Sequence, residues 1–174
     1  MSKYAFLVVF AIVAVLACNS VSAVDELPAV GAAAPAFNLT SNEGKQVSLN
    51  DYKGKWVVLY FYPKDMTPGC TIEARNFQVD LPKYEQKKAV IVGVSVDSTG
   101  SHKEFCAKEG LTFKLLSDTE KKVSGQYGSL RPNGMSARNT FLIDPSGKIA
   151  KVWTGVMPAK HSEEVLAALA EVAK

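Results

Sequence analysis

Trp56-Val57-Val58-Leu59-Tyr60-Phe61-Tyr62, running on into Pro63-Lys64-Asp65-Met66-Thr67-Pro68-Gly69-Cys70-Thr71-Ile72-Glu73, is the stretch that decides the fold. The first seven residues are nearly continuously apolar and aromatic, as a strand buried on both faces must be. The residues from Thr71 to Val79 suit a helix. Between them, Pro63, Pro68 and Gly69 demand a structured turn. Cys70 falls where that turn becomes helix. A thiol there faces unpaired N–H groups and the positive end of the helix dipole. Both favour the thiolate, which is the nucleophilic form. These residues by themselves predict a reactive cysteine.

Working outward, Ala36 to Thr40 and Gln46 to Leu49 flank Ser41-Asn42-Glu43-Gly44-Lys45, a hairpin signal. Asn50 to Lys55 reads as a turn or a single helical turn. After the Cys70 helix, expected to end near Val79, Pro82 is expected to open a second short helical piece through Lys88. Ala89 to Val96 is a second buried strand. Asp97-Ser98-Thr99 caps a helix that runs to Glu109 and stops at Gly110. Thr112 to Leu116 reads as a short strand, Asp118 to Gly125 as a short helix, and Gly128 to Ala137 as a polar loop. Asn139 to Ile143 and Lys148 to Trp153 are strands joined by the turn Asp144-Pro145-Ser146-Gly147. His161 to Val172 is an amphipathic terminal helix. Asp97 and Asp144 read as strand-end caps, and His102 and His161 as exposed helix residues.

This order predicts an α/β fold: a mixed central sheet covered by helices on both faces, with an extra N-terminal hairpin. The terminal antiparallel pair followed by a helix resembles the thioredoxin-like arrangement. A thiol at a strand-to-helix turn suits the usual site position of such sheets.

The 174-residue chain opens on Met1-Ser2-Lys3 and then an uncharged apolar run, Ala5 to Ala17. Val21 and Ala23 fit a signal-peptidase site, so residues 1–23 are expected to be a secretory leader. The run is short for a membrane span, which needs about 20 residues. An uncleaved anchor, or lipidation at Cys18 within Val15-Leu16-Ala17-Cys18, is the alternative. Residues 24–34 read as a tether and 35–174 as one domain. The expected location is exported, periplasmic or secreted. The formal net charge of +3, with lysines mixed among acids, points to neither nucleic acid nor a membrane surface. Of three cysteines, Cys70 and Cys106 remain after the leader. Two cysteines in an exported chain raise a disulfide, functional or structural. No spacing of His, Cys, Asp or Glu resembles a metal site, and there is no Gly-rich phosphate loop.

At the turn, a disulfide oxidoreductase would carry Cys-x-x-Cys. Here the first position is Thr67, a hydroxyl that can hydrogen-bond a thiolate and an incoming oxygen. Pro63-x-x-x-Thr67-x-x-Cys70 resembles the signature of peroxiredoxins. The longer string Tyr60 to Ala74, with Leu115-Leu116-Ser117-Asp118 and Asn139 to Asp144, is similar to the peroxiredoxin Q, or bacterioferritin comigratory protein, branch. The resemblance runs from about Gly31 to the C-terminus.

It implies a thiol-dependent peroxidase with no bound cofactor, often monomeric. Its substrate would be a hydroperoxide and its reductant a thioredoxin-like or small thiol. Cys70 would be the peroxidatic cysteine, Pro63 its shield from water, Thr67 its hydrogen-bond partner, and Arg138 the cation beside it. A fixed cation favours the thiolate and stabilises charge on a leaving oxygen. Arg131 is left as surface, and Glu73, though near the site, is assigned no catalysis.

Many relatives place a resolving cysteine five residues after the peroxidatic one, where this chain has Arg75. Others carry it on the next helix, where Cys106 stands. A buried core residue and a permanent Cys70–Cys106 disulfide are the alternatives for Cys106. If Cys106 resolves, bonded cysteines need Cα atoms within about 7 Å. The first turn of the Cys70 helix, and with it the Cys106 helix, is then expected to unwind. The competing functions are a one-cysteine peroxidase with an external thiol, an exported thiol–disulfide oxidoreductase, and a non-catalytic holdase that keeps the fold.

Overall fold

The computed structural model describes residues 26–173. The expected leader, Cys18 and the first residues of the 24–34 segment lie outside the described residues. Within the rest of that segment, backbone bonds dock the chain. Gly31 N–H donates to Ile149 O, Ile149 N–H to Ala32 O, and Ala34 N–H to Gly147 O. The expected tether is therefore laced to the start of the last strand.

Strand β1 (Asn38–Ser41) and strand β2 (Gln46–Ser48) form the expected hairpin, followed by a 3-10 turn at Leu49–Tyr52. Next come β3 (Trp56–Phe61), α1 (Pro68–Gln86), β4 (Ala89–Ser95), α2 (Thr99–Glu109), β5 (Lys114–Ser117) and α3 (Lys122–Gln126). β6 (Asn139–Ile143), β7 (Ile149–Thr154) and α4 (His161–Val172) complete the chain. One seven-stranded mixed sheet results, in the order β2-β1-β5-β4-β3-β6-β7. β3 pairs in parallel with β4 and antiparallel with β6, so both its edges are filled.

Strand periodicity splits β3 between two cores. Val58, Tyr60 and the following Tyr62 pack with Phe77 and Tyr84 of α1, Phe105 and Cys106 of α2, and Val165 and Leu169 of α4. Val57, Leu59 and Phe61 point the other way, toward Phe37, Val123, Tyr127 and Phe141. The apolar run is continuous because neither face meets water. Each such side chain contributes about 1.5–3 kcal/mol on burial.

Two helices differ from the reading of the sequence. α1 does not stop near Val79 but continues through Pro82 to Gln86. Proline removes one helical hydrogen bond, and tertiary anchors hold the helix on course. Tyr84 Oη donates to Ser162 O at 2.8 Å, and Asp80 accepts from Ser162 Oγ at 2.7 Å. α3 begins later than expected. Asp118 is not in it but caps it from outside, its carboxylate accepting the N–H groups of Val123 and Ser124.

Candidate active site

Cys70 is the third residue of α1 and is 2% exposed. Thr67 is the residue before the helix, with extended backbone, and Pro68 opens it. Pro at that position costs nothing, because its missing N–H would be unpaired anyway. The first backbone bond into this turn is Thr71 N–H to Thr67 O, at 2.9 Å. The amides of Gly69 and Cys70 precede it and point out of the helix start. The Thr67 side chain does not cap them. Its hydroxyl donates instead to Lys64 O at 3.1 Å. That corrects the expected Thr67–Cys70 bond, which is not among the hydrogen bonds of the described residues. Turned away, Thr67 leaves those two amides unspent. Pro63 is half-buried at the end of β3. Met66, between Asp65 and Thr67, takes a φ of 59°, the left-handed region that a non-glycine residue enters only when its surroundings hold it there.

The structure brings Arg138 to Cys70 across 68 residues of chain. Its Nη2 lies 3.3 Å from the Cys70 sulfur. Its Nη1 donates to Glu73 Oε2 at 2.7 Å. Glu73 is 1% exposed and one turn beyond Cys70 on the same helix face. Burial pushes its carboxyl up to about 7, and the Arg138 cation pulls against that. Glu73 thus fixes the fork of the guanidinium that faces the sulfur. The sequence reading left Glu73 without a role, although its three-residue spacing from Cys70 was a signal for a shared face. Gly69 was also missed. A Cβ there would stand 2.8 Å from Arg138 Nη2 and 3.6 Å from Pro158 Cγ, so only glycine admits the cation at this distance. Arg131 is exposed, as expected for a surface residue.

Cys106 lies in α2 and is 7% exposed. It belongs to the same core cluster as Cys70, and both thiols are free. Burial pushes the Cys106 thiol up to about 11, and the Asp65 charge adds to this. The Arg75 that stands at the commoner resolving position reaches Glu109 at the end of α2, at 2.5 Å.

His102 and His161 are not exposed, contrary to expectation; both are fully buried. His102 Nδ1 lies 2.8 Å from Asp65 Oδ2, and His161 Nε2 lies 2.8 Å from Thr140 Oγ1. Burial lowers His161 to about 4, so its ring is neutral inside the α1–α4 packing. The single period-3.6 pattern of a short helix cannot tell a solvated histidine from one paired across the fold. Among the described residues no group of three or more His, Cys, Asp or Glu side chains could hold a metal.

A buried thiol 3.3 Å from a guanidinium, at a helix start that no side chain caps, is equipped to attack an electrophilic oxygen and to stabilise the anion that leaves. Comparison with known proteins agrees. Residues 30–152 match the AhpC/TSA family. Peroxiredoxin Bcp of Xanthomonas campestris pv. campestris is 41% identical over 159 residues, covering 87% of this chain and 98% of that protein. The chloroplastic peroxiredoxin Q of Sedum lineare is 42% identical over 139 residues, covering 78% and 75% respectively. Among solved structures, a cysteine-to-serine mutant of Xylella fastidiosa PrxQ superposes with a TM-score of 0.81 at 36% identity, covering 86% of this chain and 99% of that one. The Xanthomonas campestris bacterioferritin comigratory protein, solved in connection with its alkyl peroxide reduction activity, gives a TM-score of 0.77 at 39% identity, covering 79% and 92%. The chain belongs to the AhpC/TSA family, on the branch of the peroxiredoxins Bcp and Q, and is a thiol-dependent peroxidase with a thioredoxin-like fold.

Proposed function

We propose that Cys70 is the peroxidatic cysteine, acting on hydrogen peroxide and organic hydroperoxides, and that Cys106 resolves it. The observation that carries the first half is the 3.3 Å approach of Arg138 Nη2 to the Cys70 sulfur at a helix start. The thiolate attacks the terminal peroxide oxygen. An S–O bond forms as the O–O bond breaks, and the leaving hydroxide or alkoxide takes a proton to become water or an alcohol. Arg138 and the amides of Gly69 and Cys70 hold the oxygens in line. Pro63 keeps bulk water off the sulfur. The Thr67 hydroxyl, freed from Lys64 O by a small rotation, meets the incoming peroxide. The alkyl peroxide activity named for the Xanthomonas relative supports organic hydroperoxides as substrates.

The Cys106 sulfur then displaces the hydroxyl of the Cys70 sulfenic acid, giving an intramolecular disulfide and water. A thioredoxin-like or small-thiol donor reduces that disulfide. The leader pattern over 1–23 supports export, with anchoring through an uncleaved leader or Cys18 as the variant, and a monomer suffices for every step. The burial of Cys106 favours one second reading: a one-cysteine enzyme in which Cys106 is core and an external thiol resolves.

Intact mass after one equivalent of peroxide separates the two readings. Loss of two hydrogens in the wild type, with gain of one oxygen in Cys106→Ser, is the expected result. Gain of oxygen in both makes this a one-cysteine peroxidase. Absence of both the oxygen gain in Cys106→Ser and the hydrogen loss in the wild type would mean that Cys70 is not the thiol that meets the peroxide.

A further inference from the structure

The loop before Cys70 is tied to the helix that carries Cys106 by a buried polar cluster that the chemistry at Cys70 does not use. Asp65, 5% exposed, lies five residues before Cys70. Its Oδ1 accepts from Tyr62 Oη at 2.7 Å. Its Oδ2 accepts from Ser101 Oγ at 2.6 Å and from His102 Nδ1 at 2.8 Å. Ser101 and His102 are in the first turn of α2, and Cys106 is one turn beyond His102 on the same face. The Asp65 backbone N–H donates to Asp97 Oδ2 at 2.9 Å, just before α2. The Asp65 carboxylate therefore joins the Cys70 loop to the start of α2 by two bonds, and its backbone N–H adds a third to the segment before α2.

We propose that Asp65, with Ser101 and His102, is a latch that holds α2 closed and so sets the rate at which Cys106 reaches the oxidised Cys70. This rests on the reading of Cys106 as the resolving cysteine. Two features of the cluster fit a latch better than a purely structural bond. Its bonds converge on a charged acceptor, and charge-assisted bonds are the strong ones. It also sits among buried polar atoms left without partners. His102 Nε2, Tyr60 Oη and Glu73 Oε1 are three of the four such side-chain atoms among the described residues. Of these, His102 Nε2 is on α2 itself and can regain water when α2 moves, so the closed state leaves one donor or acceptor of the cluster unmet. The nearby Arg75–Glu109 pair, with Arg75 62% and the Glu109 side chain 3% exposed, is a second tie from α1 to the far end of α2, and the latch acts at the near end. Opening the latch also moves the Asp65 charge away from Cys106. Burial first, and that charge second, hold Cys106 as the neutral thiol while closed. Asp65 and His102 are positioning residues: neither touches a reacting atom.

The test is a single-turnover reaction with one equivalent of hydrogen peroxide, quenched and resolved by mass into sulfenic acid and disulfide. Asp65→Asn is expected to form disulfide about tenfold faster than wild type. Ser101→Ala, which lies on α2 alone and removes one bond, is expected to be about threefold faster, with Cys70 oxidised within about twofold of the wild-type rate. Amide hydrogen exchange on the same substitutions in a Cys106→Ser background supplies a readout independent of chemistry. Residues 99–109 lose protection while β3 and β6 keep theirs. Disulfide formation at the wild-type rate in both variants overturns the latch. A wild type that forms no disulfide overturns the role of Cys106 instead; unchanged exchange of α2 in Ser101→Ala then overturns the latch as well.

Discussion

Cys70 and Cys106 are both buried, both free and both part of one core cluster, yet they face opposite surroundings. Cys70 meets a guanidinium at 3.3 Å and the open end of a helix. Cys106 meets apolar side chains and, beyond them, the Asp65 carboxylate, and is pushed up to about 11. Burial alone makes a thiol inert. The difference teaches that burial alone does not set a thiol's surroundings: Cys70 has a cation brought in from the residue before β6 and a helix start that no side chain caps.

The largest break in this comparison removes the cation. Arg138→Ala is expected to slow peroxide reduction by roughly a hundred- to a thousandfold, the usual loss when one pre-positioned donor to a developing oxyanion is deleted. Stopped-flow measurement at pH 7 checks it; a loss under about fivefold would mean that the helix start suffices. Next comes the contrast in accessible thiolate. At neutral pH, native Cys106 is expected to alkylate at least about a hundredfold more slowly than an exposed cysteine, since its thiolate fraction falls tenfold per unit. Its folded value lies above the ordinary 9.0, so closed burial of this thiol is fully stabilising below pH 9 and is lost as pH rises through 11. Labelling of Cys106 should accelerate across that window, and peptide mass spectrometry follows both thiols in one sample.

Smaller effects sharpen the origin of the cation's placement. Glu73→Ala, which frees the Arg138 fork, should lower the peroxide rate by about tenfold. Glu73→Gln keeps an acceptor for Nη1 and should recover most of that loss. Equal rates in the two variants would show that the carboxylate charge, not its geometry, is what counts. Gly69→Ala should lower the rate by about fivefold while leaving Tm no lower than wild type, because alanine suits a helix better than glycine. A lower Tm would place the 2.8 Å conflict on the backbone rather than on Arg138.

Much of this was legible in the sequence. The buried strand Trp56–Phe61 and the helix after it were set by periodicity and punctuation, which act over a few residues. β6 and α4 carry the predicted bounds, Asn139–Ile143 and His161–Val172, because a turn and a polar break flank them. Pro82 is a local stop signal, and by itself it predicts a shorter α1. The bonds of Tyr84 and Asp80 to Ser162, about 80 residues away, outweigh it. The same limit hid the two histidines and Glu73. Each is a polar residue whose partner lies far along the chain; the spacing of Glu73 from Cys70 marks a shared face, but the partner that makes burial tolerable is visible only in the fold.

The sequence by itself singled out Cys70 as the candidate nucleophile, indicated the class of chemistry, and placed a second thiol on the next helix. Those follow from residue type and short spacing. Only the tertiary structure decided that Arg138 is held by Glu73 against a sulfur that Gly69 leaves accessible, that Thr67 turns to Lys64, and that Asp65 binds the two thiol-bearing segments together. Those are meetings of polar groups over tens of residues, and their energies depend on distance and desolvation, which exist only once the chain has folded.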